Sequence, residues 1–142
     1  MARTDRFKGQ HRELVRIVAE ISSLAEASQA EEKAKDISAQ LHLLAGKLNV
    51  HLAMDDNALY PSLIGQKDER LAPLARKYVD EMGHIKEAFA NFVAKWPTPK
   101  AIENDPVGFK KEIKGLFAAL TLRIQKEETE PYPMVDELER NL

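Results

Sequence analysis

The sequence predicts an all-α protein, an up-down-up-down four-helix bundle with a short C-terminal tail helix, and three observations carry that expectation. Apolar residues make up 44% of the 142 and charged ones 31%, with only 6 Gly and 6% aromatics, the profile of helices with one buried and one solvated face. In four long stretches the apolar residues recur at spacings of three and four, the period of an amphipathic helix. The links between them are short, which makes consecutive helices antiparallel neighbours. A chain of this length suits one domain with one core, so residues 1–142 are read as a single unit.

The first helix is expected to be capped by Asp5 and to run to about Ser28, with Phe7, His11, Leu14, Val18 and Ile21 on one face. After the polar SQAEE link a second helix continues to about Leu63. Its seam is Ile37, Leu41, Leu44, Leu48, His51, Asp55 and Ala58, so two polar residues stand inside an apolar stripe. The third runs from about Asp68 or Arg70 to Trp96 with Leu74, Tyr78, Met82, Ile85, Phe89 and Phe92 in line, and Pro73 is tolerated in its first turn. PTPK and ENDP break it. The fourth runs from about Asp105 to Thr129 along Phe109, Ile113, Leu116, Leu120, Arg123 and Glu127, until Pro131 and Pro133 stop it. The tail helix is expected over Met134 to Arg140.

Composition also excludes several functions. Acidic and basic residues, 23 and 21, are interspersed, so no block of one sign marks a nucleic-acid or anionic-membrane surface. No apolar run approaches the roughly 18 residues of a membrane span, and the polar start MARTDRFKGQ has no signal-peptide core, so a cytoplasmic address is expected. Without Cys, only His and carboxylates remain as strong metal ligands. No Ser/His/Asp set, Gly-rich phosphate loop or nucleotide motif is present, which argues against an enzyme.

An internal repeat organises the chain. His51 to Asp55 followed by Tyr60-Pro61 is echoed 72 residues later by Arg123 to Glu127 followed by Tyr132-Pro133, and His11 to His84 repeats nearly the same offset at 73. Around their helix axes His11, His51, Asp55 and Glu127 fall near the middle of the apolar seams, whereas His42 falls on the opposite side of its helix and serves as a control. Counting residues from the turns puts His11, His51, His84 and the pair Arg123 and Glu127 at similar heights. The expectation is one polar layer in an apolar bundle, fed by all four helices.

Burying imidazoles and carboxylates without partners costs several kcal/mol. A metal ion satisfies both, and a His and an Asp at i and i+4 aim two ligands at one centre. Such a donor set suits iron, with manganese or zinc as competitors. The competing expectation is a buried hydrogen-bond network without metal.

At this point the residues resemble the hemerythrin-like family, the His-His-Glu cation-binding domain. The resemblance covers essentially the whole chain: an isolated His on the first helix, HLAMDDNALYP on the second, MGH on the third and RIQKEETEPYP on the fourth. It implies His11, His51 and His84 as nitrogen donors and Asp55 and Glu127 as carboxylates bridging two non-haem irons. It also implies binding or sensing of oxygen or a related small oxidant, or of iron. Two departures stand out: Arg123 occupies a position where the family has His, and Asp55 stands where it has Glu. Arg cannot ligate a metal, so Arg123 is expected to neutralise Glu127 or Asp55, with Glu81, Tyr60 and Tyr132 as further residues around the site. The expected function is a non-enzymatic iron module with one or two ions and a small-molecule oxidant as partner. The alternative is a metal-free bundle serving as a protein-interaction module, with Arg123 as its internal cation.

Overall fold

A computed structural model describes residues 4–26, 33–65 and 70–140. Among them the chain is helical nearly throughout: α1 (Thr4–Glu26), α2 (Ala34–Met54), a π turn (Asp55–Leu59), α3 (Tyr60–Ile64), α4 (Leu71–Lys95), α5 (Pro99–Asn104), α6 (Pro106–Thr129) and α7 (Pro131–Arg140). The four long helices form a square in which α1 lies against α2 and α6, and α4 lies against the same two. This is the expected bundle with its tail helix. The SQAEE link, the first helix's expected end at Ser28 and the alternative third-helix start at Asp68 fall outside the described residues.

Helix ends follow local chemistry, with some corrections. Asp5 sits inside the first turn of α1 instead of capping it, where its charge still suits the helix dipole. PTPK and ENDP do more than break the third helix. Thr98 caps the short α5 by accepting from the Ala101 N–H at 3.3 Å, and Pro99 takes the first helical position. Asp105 then caps α6 by accepting from the Gly108 N–H at 2.9 Å. The tail helix begins at Pro131, three residues earlier than expected.

The apolar core comes in two blocks. One is built on Leu14, Ile17, Ile21, Leu41, Leu44, Leu48, Met82, Phe89, Phe117, Leu120 and Ile124. The other, smaller block contains Phe7, Leu59, Tyr60, Leu63, Tyr78, Tyr132 and Val135. A polar layer separates them, since His11 lies between Phe7 and Leu14, and Glu127 lies between Ile124 and Tyr132. The tail helix closes the smaller block: Thr4 on α1 donates its hydroxyl to Asp136 on α7, at 2.7 and 2.8 Å to the two carboxylate oxygens. No described helix is long and apolar enough to cross a membrane.

The π turn is absent from the sequence-based expectation. In an unbroken α-helix Tyr60, five residues after Asp55, points about 140° away from it. A π turn accommodates one extra residue, which brings the two side chains back to the same face. The second copy of the repeat solves the same problem differently, by ending α6 at Thr129 and starting α7 at Pro131. Both tyrosines thereby reach the polar layer.

Candidate metal centre

Three helices supply the layer. His11 comes from α1, His51 from the last turn of α2, Asp55 from the start of the π turn that continues it, and Glu127 from α6, each at most 1% exposed. His11 Nε2 lies 3.0 Å from His51 Nε2 and 3.0 Å from Glu127 Oε1. His51 Nε2 is 3.1 Å from Asp55 Oδ2 and 3.6 Å from Glu127 Oε1. Donor atoms of His11, His51 and Glu127 all fall within 4.8 Å of one another. Tyrosines close the remaining sides: the Tyr60 hydroxyl donates to Glu127 Oε2 in a short hydrogen bond, and the Tyr132 hydroxyl lies 3.1 Å from His11 Nε2 with its ring stacked on the imidazole.

A cation fits this donor set. Two ring nitrogens 3.0 Å apart can share only one proton between them. Asp55 Oδ1 and His11 Nδ1 are buried without a hydrogen-bond partner, and Asp55 Oδ2 has only the His51 ring nitrogen at 3.1 Å, an arrangement that is costly unless another group satisfies them. His51 donates its Nδ1–H to Gln10 Oε1 at 2.6 Å, which leaves Nε2 as the nitrogen facing the other ligands. Gln10 in turn donates its amide N–H to Met54 Sδ at 2.9 Å. The sequence reading missed Gln10; its place beside His11, on the edge of the α1 seam toward α2, was the available signal.

The metal-free electrostatics follow from the same contacts. Burial alone pulls the His51 pKa down, but the hydrogen bonds and charges of Asp55 and Glu127 outweigh it and raise it to about 9. For Glu127, burial pushes upward and is overcome by His11 and His51, so its carboxyl stays below the usual range. Burial is also the largest influence on Asp55. With the Glu127 charge nearby it raises the pKa to about 7, against the downward pull of His51. Glu127 is therefore the ionised carboxylate of the pair.

A stability prediction follows. His51 titrates higher in the folded than in the unfolded chain, so its contribution is fully present below its ordinary value of 6.5 and is lost as pH rises through about 9. Asp55, also raised, loses stability in the same direction as pH climbs toward about 7. Thermal melts of metal-free protein are expected to fall from the Asp55 ordinary value of 3.8 up to about 7, and further between 6.5 and about 9 as His51 deprotonates. A flat profile there would mean that His51 is not held protonated.

Two expectations need correction. His84 is exposed and takes no part in the layer. On α4 the layer falls between Tyr78, in the smaller core block, and Met82, in the larger one, so His84 lies beyond it, about 200° around the helix from Met82. Arg123, half-buried, pairs with Glu81 and lies over the Tyr78 ring at 5.3 Å. Its ion pair is thus with α4, and neither Asp55 nor Glu127 is its partner. His42 is exposed and meets the Pro97 carbonyl at 3.0 Å, as its helical phase predicts.

Compared with known protein families, residues 2–135 match the model of the family described as Hemerythrin HHE cation binding domain. The corresponding comparisons with curated proteins and with solved structures give no match.

Proposed function

Since the chain belongs to the hemerythrin HHE cation-binding family, we propose that it is a non-haem iron module holding one ion, which binds or senses oxygen or a related small oxidant in the cytoplasm. The observation that carries this reading is the convergence of His11, His51 and Glu127 on one buried point, with Asp55 beside His51, while on α4 Glu81 is engaged with Arg123 and His84 is exposed. Two imidazoles and two carboxylates suit iron, and manganese or zinc compete for the same donors. Bound iron would supply Lewis-acid and one-electron redox chemistry. The protein's own contribution is to orient His51 through Gln10, to hold Glu127 through Tyr60, and to exclude bulk water behind Phe7 and Tyr132. The alternative of a metal-free interaction module loses its internal cation, because Arg123 is engaged with Glu81.

Elemental analysis of protein made in iron-sufficient medium tests the proposal. About one equivalent of iron per chain is expected, with most of it lost in His51→Ala. Two equivalents in the parent protein would overturn the one-ion reading, and none would overturn the metal reading. Arg123→His is expected to leave the count at one, since position 123 faces Glu81 and Tyr78. Binding must displace the proton that His51 holds in the metal-free state, so affinity is expected to rise about tenfold per pH unit for each proton released until His51 is deprotonated.

A further inference from the structure

The ligands lie at most 1% exposed, so a reductant larger than a few atoms cannot touch a metal held among them. An electron has to cross protein, and the side chains leading outward decide where. Tyr132 lies against His11, but its next ring neighbour is Phe7, 5.9 Å away, which is not readily oxidised. Tyr60 leads elsewhere. Its hydroxyl donates to Glu127, and its ring lies nearly parallel to that of Tyr78, with centroids 6.3 Å apart and 17° between the planes. The Tyr78 hydroxyl donates to Glu130 Oε1 at 2.9 Å, and Glu130 is exposed. Tyr78 also lines a cavity of about 160 Å³ together with the cations Lys77, Arg123 and Lys126 and the carboxylates Glu81, which pairs with Arg123, and Glu130, so cations outnumber carboxylates there.

We propose that Tyr60 and Tyr78 form an electron path between the buried metal centre and the cavity over Tyr78, each phenol passing its proton to its own carboxylate, Glu127 or Glu130. This rests on the iron reading above. The pairing of each phenol with a carboxylate matters because an oxidised phenol is strongly acidic and needs an acceptor within hydrogen-bond reach. The Tyr78 phenol is otherwise held protonated, chiefly by burial.

With a peroxide as oxidant the step balances. Hydrogen peroxide takes two electrons and two protons to give two waters. Tyr60 supplies one electron and bound ferrous iron, going to ferric, would supply the other; the Tyr60 proton is only held on Glu127, so both protons taken up by peroxide come from solvent. Tyr60 then recovers an electron from Tyr78 and its proton from Glu127, and Tyr78 releases its proton to Glu130. An anionic one-electron donor at the cavity's cations restores Tyr78, which takes its proton back.

Iron-loaded protein, its metal content first verified, is mixed anaerobically with one equivalent of hydrogen peroxide and frozen at intervals for electron paramagnetic resonance, with and without ferrocyanide. A tyrosyl signal that ferrocyanide rapidly removes is expected in the parent. Tyr78→Phe should form the signal but lose its fast removal, and Glu130→Gln, a change at an exposed site, should slow removal and enlarge its solvent deuterium effect. Removal at the parental rate in both variants, or no tyrosyl signal in the iron-loaded parent, overturns the path while leaving the metal reading intact. Failure to bind iron at the verification step overturns both.

Discussion

Glu127→Ala is expected to purify without metal and to lose about 3–5 kcal/mol of stability in the metal-free state, the usual penalty for removing one partner of a buried charged pair. This carboxylate is wholly buried and is the one group that touches His11, His51 and Tyr60 together. Its loss strands the His51 cation beside Asp55 alone and leaves the Tyr60 hydroxyl without an acceptor. Glu127→Gln separates the two roles. An amide still accepts from Tyr60 and fills the space but leaves the His51 cation without this charge, so only part of the stability should return, and the neutral side chain should remain a poor ligand. Elemental analysis and thermal melts of the three proteins check this, and parental metal content in Glu127→Ala would remove the residue from the site.

Tyr132→Ala is expected to be comparably severe for a different reason. The ring is fully buried between Phe7 and His11, and truncating a buried aromatic to Ala typically costs about 3–5 kcal/mol. The cavity so created opens beside His11, so metal release to an external chelator should accelerate along with the loss in melting temperature. Tyr132→Phe keeps the ring and should restore both. If the Ala variant lost stability yet released metal at the parental rate, the tail helix would be a packing element without any role in closing the site.

Helix existence and phase were legible in the sequence because both depend on local periodicity, which is why His11, His51, Asp55 and Glu127 could be placed on buried faces and His42 on an outer one. Height along the bundle was less legible. The placement of His84 rested on counting residues through the connection from α2 to α4, and each residue of error moves a side chain by 1.5 Å and 100°. The π turn at Asp55–Leu59 adds a residue to that count with little advance along the axis. The same count gave no reason to pair Arg123 with Glu81, because it set His84 at the layer, where α4 in fact offers Tyr78 and Met82 on either side. Gln10 was missed for another reason: a polar residue at a seam edge has no periodic signature, and its place beside His11 becomes telling only with its contact to His51.

The clasp between Thr4 and Asp136, together with the meeting of His11 and Glu127 across 116 positions of sequence, has a consequence for biosynthesis. Chains grow at about 5–20 residues per second, so His11, His51 and Asp55 exist for several seconds before Glu127 and Tyr132 are made. In that interval the nascent bundle presents a partial, open site to whatever divalent ion is abundant. Only completion of the last helix encloses it, so, on the proposed iron reading, the ion retained would depend on supply at the moment of synthesis as well as on affinity.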